Sequence, residues 1–130
     1  MIAVDTNIVL RLILGDDESQ LGAVRKLMAD DSLFVSLTVL LETGWVLESR
    51  CRMPRPAVAD ALIALTLLEG IQVPRSETVL RLLERYRAGA DLADMIHLAS
   101  AAKLEAFATF DRRLHRDADG ASLLKIETPA

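Results

Sequence analysis

The chain has 130 residues, a length typical of one domain, and 52% of them are hydrophobic while only 4% are aromatic. A net charge of −4 argues against a protein that coats nucleic acid through bulk positive charge, although local arginines can still hold phosphates. No apolar run approaches the roughly 18 residues of a membrane span. The first residues lack a signal-peptide pattern, and the lone Cys51 excludes an internal disulfide. We therefore expect a cytoplasmic domain.

The hydrophobic periodicity predicts strands that alternate with helices along the whole chain. In chain order, the first half is predicted to form a strand at 1–4, helices at 8–14 and 16–30, a strand at 33–35 and helices at 37–51 and 54–69. The second half is predicted to form a strand at 71–73, a helix capped by Ser76, a helix from Asp91 to about Leu104, a strand at 106–110, a turn at 111–116 and an edge strand at 123–126.

Strands joined by helical crossovers imply a parallel sheet with helices on both of its faces. The sequence therefore predicts a single α/β domain over residues 1–130, in three α/β/α layers around a short, mainly parallel sheet. Ligands bind such sheets at the carboxyl ends of the strands, so the residues that follow each strand are the first candidates for a site.

Acidic residues occupy these junctions. Asp5 directly follows the first predicted strand, Asp111 directly follows the fourth, and Asp91 and Asp94 open the helix that precedes the fourth. Each aspartate also has a purely structural explanation, because aspartate is a favoured N-cap and is stabilised at a helix N-terminus. Glu42 lies within the most apolar helix, so it is either a buried carboxylate that needs a partner or a residue turned to solvent.

Considered together, these acids favour a metal site. Carboxylates packed at one sheet edge repel one another and raise their pKa values, and a divalent cation removes that conflict. Oxygen-only ligands suit Mg²⁺ or Mn²⁺. The sequence contains no paired histidines or cysteines at zinc-ligand spacing, so a zinc site is not indicated.

The acids lie in four motifs that resemble those of the PIN-domain family, in the family's order. Val4-Asp5-Thr6-Asn7 is similar to its first motif and Leu41-Glu42-Thr43-Gly44 to its second. Asp91-Leu92-Ala93-Asp94-Met95-Ile96-His97 is similar to the third, the most specific stretch, and Ala108-Thr109-Phe110-Asp111 to the fourth. The resemblance extends from residue 4 to about residue 115.

The resemblance implies a metal-dependent endoribonuclease that hydrolyses RNA phosphodiesters, with Mg²⁺ or Mn²⁺ activating a water. It assigns the metal-binding, catalytic roles to Asp5, Glu42, Asp94 and Asp111, while Asp91 either assists through water or only caps its helix. Side chains that orient these acids are expected at Thr6, Asn7 and Thr109.

Short PIN chains resemble toxins of toxin–antitoxin pairs of the VapC type, which implies a homodimer and a small antitoxin protein as partner. Phosphate contacts are expected from Arg112, Arg113 and Arg116, which follow Asp111; the alternative is a solvated surface. We expect aromatic residues such as Trp45 and Phe110 mostly in the core, which argues against tracking along single strands.

Three other kinds of protein share the α/β pattern. A haloacid-dehalogenase-like phosphatase needs a second aspartate two residues after the first, and that position is Asn7. A response-regulator receiver needs an aspartate after the third strand, where the chain has Pro74 and Arg75. A PIN-like module that only binds partners, without catalysis, is the remaining alternative, and the full set of acids argues against it.

Overall fold

The computed structural model describes residues 1–120 and 124–130, and the chain forms two compact units, Met1–Pro74 and Arg75–Ala130. Every strand pairing within these units is parallel. The predicted α/β class is confirmed, with two short parallel sheets, one in each unit.

The first unit alternates short strands with longer helices. Its elements are β1 (Ile2–Ala3), α1 (Thr6–Leu14), α2 (Glu18–Asp30), β2 (Leu33–Phe34), α3 (Leu37–Ser49), α4 (Arg55–Leu67) and β3 (Ile71–Gln72). The strand order is β1-β2-β3, with Leu33 of the central strand paired to Ile2 on one side and Ile71 on the other. Helical crossovers bring all three carboxyl ends to the same edge, which is where Asp5 follows β1.

The buried face of α3 decides where its polar residues lie. Leu40, Thr43, Gly44 and Leu47 are buried at positions i, i+3, i+4 and i+7, which form one stripe of the helix. The hydroxyl of Thr43 donates to the carbonyl of Val39 over 2.7 Å, so the buried polar group is satisfied within the helix. The opposite face, which includes Glu42, is left toward solvent.

The second unit consists of a helix pair and a two-stranded sheet. Its elements are α5 (Ser76–Arg87), α6 (Leu92–Ser100), β4 (Ala106–Ala108), α7 (Arg112–Asp117) and β5 (Lys125–Glu127). Helices α5 and α6 bury their apolar stripes, including Leu82, Tyr86 and Leu98, each at most 1% exposed. Phe107 of β4 pairs with Ile126 of β5.

Several predicted boundaries are corrected by the structure. Helix α6 ends at Ser100 and not near Leu104, and α7 is a helix where a turn was expected. Ser76 does not cap α5: the N-cap is Arg75, whose φ of 54° is left-handed and whose side chain makes no capping bond. The last strand occupies Lys125–Glu127, and Leu123, where it was predicted to begin, lies outside the described residues.

Two aromatic side chains expected in the core are exposed instead. Trp45 is 53% exposed because it shares the solvent face of α3, and Phe110 is 78% exposed after the end of β4. Among the aromatic residues, all of which lie in the described part of the chain, only Tyr86 is fully buried, at 1% exposure. Within the described part of the chain, no helix combines the length and apolarity that a membrane crossing requires.

Candidate active site

Asp5 lies at the turn between β1 and α1 and caps the helix. Its backbone is extended, and its Oδ1 accepts a hydrogen bond from the backbone N–H of Ile8 over 3.1 Å. The predicted N-cap is confirmed. The side chain is exposed, so Oδ2 stays available to a ligand while the cap fixes the orientation of the carboxylate.

Glu42 is connected to this turn by a hydrogen bond with Thr6, the first residue of α1. The hydroxyl of Thr6, which is only 7% exposed, donates to Oε1 of Glu42. Glu42 itself lies on the exposed face of α3, so of the two alternatives for this residue the structure shows the one turned to solvent. The hydrogen bond joins α1 to α3 and positions Glu42 beside the residue that follows Asp5. Thr6 thus orients an acid, as predicted for it.

Asn7, the third residue of the first motif, has an exposed side chain with no hydrogen bond to either acid. It lines a cavity of about 450 Å³ next to Asp5, between α1 and α2, together with Arg11 and Gln20. This cavity was not predicted. The only sequence signal for it is the spacing of Asn7 and Arg11, which places them on one face of α1.

The second unit holds the other acids at helix starts. Oδ2 of Asp91 accepts from the backbone N–H of Asp94 over 3.0 Å at the start of α6, and Oδ1 of Asp111 accepts from Arg113 over 2.9 Å at the start of α7. Both predicted caps are confirmed. The hydroxyl of Thr109 accepts from the backbone N–H of Asp111 over 3.0 Å, so Thr109 holds the main chain of that acid and not its carboxylate.

Asp94 is the member of this group whose ionised carboxylate is disfavoured by its surroundings. Burial raises the pKa of its carboxyl above the ordinary value, and the negative charges of Asp91 and Asp111 raise it further. His97 and Arg113 oppose these effects and lower it. The three carboxylates therefore lie within electrostatic reach of one another, and a cation among them would favour the ionised form of Asp94.

One of the predicted phosphate-binding arginines, Arg113, pairs with a candidate acid. Its Nε lies 4.0 Å from Oδ1 of Asp111, and its side chain is 79% exposed. Arg116 instead pairs with Asp117 over 3.2 Å, and Arg112 is exposed. A guanidinium beside the acids can donate charge-assisted hydrogen bonds to a phosphate bound at the same place.

The donors in the second unit fit a hard divalent ion in chemical type, since the carboxylates of Asp91 and Asp111 lie within electrostatic reach of Asp94. Across the described residues, no three histidine, cysteine or acidic side chains are close enough to coordinate an ion. Asp5, Asp91 and Asp111 cap helices, Glu42 lies within α3 and is hydrogen-bonded to Thr6, and Asp94 lies within electrostatic reach of Asp91 and Asp111.

The comparisons with known proteins give a family and no individual relative. The family model for the PIN domain matches residues 2–120, which include all four motifs and every candidate acid. Neither the search of curated proteins nor the search of solved structures returned a match. Because the family model spans most of the chain, this protein belongs to the PIN-domain family.

Proposed function

We propose that this PIN domain is a metal-dependent endoribonuclease that hydrolyses phosphodiester bonds in RNA. PIN domains are typically metal-dependent nucleases that act on RNA, so family membership supports a hydrolase of this class. The observation that carries the proposal for this chain is the hydrogen bond from Thr6 to Glu42, which holds Glu42 beside the turn capped by Asp5. In the second unit, Asp91 and Asp111 lie close enough to Asp94 to disfavour its ionised carboxyl, in addition to the effect of burial. A carboxyl group held in this conflict is stabilised in its ionised form by a bound cation.

We assign metal binding to Asp5 and Glu42 in the first unit and to Asp94 and Asp111 in the second, with Asp91 in support. A bound Mg²⁺ or Mn²⁺ supplies a water of lowered pKa and stabilises charge on the attacked phosphate. Thr6 holds the Glu42 carboxylate by its hydrogen bond. Thr109 fixes the main chain at Asp111.

The arginines that follow Asp111 are assigned to the RNA backbone. Arg113 is exposed beside that acid, and Arg112 and Arg116 are exposed on the same short helix. Positive charge here offsets the net charge of −4 locally, which lets an acidic protein approach a polyanion. No side-chain nucleophile is assigned, because water is the attacking group.

Cleavage of total RNA by the full chain tests the proposal, with Mg²⁺ or Mn²⁺ compared against EDTA. We expect discrete metal-dependent fragments from wild type and none from Asp94→Asn. The matched control is Asp30→Asn, which removes an exposed carboxylate at the end of α2 and should cleave normally. Folded protein that neither cleaves RNA nor binds Mn²⁺ in calorimetry would instead be a PIN-like interaction module without catalysis.

We further propose that the nuclease is the toxin of a toxin–antitoxin pair, a cytoplasmic homodimer silenced by a small antitoxin protein. This rests on the likeness of short PIN chains to VapC-type toxins. Growth arrest on induction of wild type, and normal growth with Asp94→Asn, is the expected result. Gel filtration at micromolar concentration tests the dimer, and a strict monomer would contradict it.

A further inference from the structure

The cavity beside Asp5 has the size and lining of a ligand pocket. Its volume of about 450 Å³ lies within the roughly 300–1,000 Å³ of small-molecule sites. Its walls are mainly hydrocarbon, supplied by Ile8 of α1 and by Val24 and Leu27 of α2. Walls of this kind favour an apolar surface, and a few polar groups at the edge then set the orientation of the ligand.

The polar groups at the edge are neutral amides. Asn7 and Gln20 are both exposed, and each side chain offers a carbonyl acceptor and an NH₂ donor. Neither side chain makes a hydrogen bond within the described part of the chain. Amide groups without a hydrogen-bond partner in the protein can bind a ligand edge that carries both hydrogen-bond donors and acceptors.

Arg11 adds a donor but little net charge. One terminal nitrogen of its guanidinium lies 2.7 Å from Oδ1 of Asp16, so the positive charge is already paired. Its Nε is buried and is the one buried side-chain nitrogen or oxygen of the described residues that has no hydrogen-bond partner. A buried donor without a partner carries a desolvation penalty until an acceptor reaches it. That nitrogen is covered by the protein itself, so it offers no contact to a ligand. The charge of Arg11 is paired and Asp5 contributes a carboxylate to the lining, so the cavity favours a neutral group over a free anion.

We propose that this cavity binds a nucleobase of the RNA substrate, namely the base on the nucleotide whose phosphate lies at Asp5. A nucleobase has apolar faces for the walls and a polar edge for the exposed amides of Asn7 and Gln20. Asp5 lines the same cavity, so a phosphate held there through a metal brings its own base to the opening. The inference rests on the proposed nuclease function and makes Asn7 and Gln20 determinants of sequence preference, since unstacked bases are recognised by hydrogen bonds to their edges.

Calorimetric titration with the four nucleoside 5′-monophosphates in Mn²⁺ tests the proposal on the full chain. We expect wild type to bind one of them at least about 10-fold more tightly than the weakest, since a site built to hydrogen-bond a ligand discriminates strongly. Ala23→Phe places a ring at the cavity wall and should weaken the preferred nucleotide by at least about 10-fold. Ala29→Phe, on the exposed end of the same helix and outside the lining, should leave the affinity within roughly twofold.

Gln20→Leu is the second variant, because it changes an exposed side chain and should fold normally. It should reduce the preference among the four nucleotides while leaving circular dichroism unchanged. Absence of nucleotide binding, equal affinity for all four, or wild-type affinity in Ala23→Phe would overturn the proposal. RNA cleavage is measured in parallel. Selective nucleotide binding without cleavage would refute the nuclease function alone. Cleavage by a protein that binds all four nucleotides equally would refute the proposed nucleobase site alone.

Discussion

Asp91 both caps α6 and contributes negative charge near Asp94, and two substitutions separate these roles. Asp91→Ala removes the cap bond to the N–H of Asp94, measured at 3.0 Å, and should cost about 1 kcal/mol of unfolding free energy. Asp91→Asn keeps a capping oxygen. It loses roughly 0.5 kcal/mol of helix-dipole stabilisation, and it gains a similar amount, about 0.5 kcal/mol, from reduced repulsion of Asp94.

Asp91→Asn should therefore be about as stable as wild type and about 1 kcal/mol more stable than Asp91→Ala, a difference of roughly 4 °C in Tm for a chain of this size. Urea and thermal denaturation followed by circular dichroism, in EDTA, measure both quantities. Calorimetry with Mn²⁺ measures the second role, and we expect both variants to lose about 10-fold in affinity. An Asn variant as unstable as the Ala variant would refute the capping argument, and unchanged Mn²⁺ affinity would show that Asp91 only caps.

Three further predictions follow from contacts in the two units. In EDTA, Asp94→Asn should be more stable than wild type at pH 7 by at most about 1 kcal/mol, because its acidic neighbours repel the charge and the group is partly exposed. Burial first, and those neighbours second, raise the pKa of Asp94 in the folded state, so wild-type stability falls as pH rises from about 4 through that raised pKa. The advantage of the variant should therefore vanish below pH 4. Equal stability of variant and wild type at both pH values would contradict this. Thr6→Val should cost about 1 kcal/mol of unfolding free energy and lower cleavage, because Glu42 loses its hydroxyl partner, whereas Thr6→Ser should retain both. Arg113→Ala, tested by RNA binding in the inactive Asp94→Asn background, should reduce the salt-dependence slope by about 1, and the exposed Lys26→Ala should not.

The local features of the acids could be predicted from the sequence. Asp5 and Asp91 each precede an apolar-periodic helix, and Asp111 precedes a segment predicted as a turn; in each case a side-chain cap depends only on the residues of the following turn. Their placement after strands, or before the helix that leads to one, follows from the order of the elements. The family motifs then separate these acids from other capping aspartates, such as Asp17 at the start of α2.

The orientation of Glu42 could not be predicted because α3 is apolar on several sides. Only tertiary packing decides that the stripe through Leu40 and Leu47 is buried and that the stripe with Glu42 and Trp45 is exposed. The start of α5 was missed for a similar reason. Arg75 adopts a left-handed backbone that is unusual for a residue with a side chain, and Ser76 is drawn into the helix.

The cavity depends on how α1 packs against α2, which no single stretch of sequence encodes. Asn7, Arg11 and Gln20 are unremarkable as a pattern, and the two helices are joined by a turn whose geometry sets the gap between them. The buried Nε of Arg11 becomes visible only when every neighbouring atom is placed.

The exposed position of Trp45 gives the protein an intrinsic optical reporter. It is the single tryptophan of the chain, 53% exposed, and it lies three residues after Glu42, so the two side chains are neighbours on the surface of α3. Its emission already comes from an indole in contact with water, so unfolding should change the spectrum little. Ligands that reach Glu42 should instead quench or shift it, which makes the fluorescence of the unmodified protein a direct signal of occupancy at that acid.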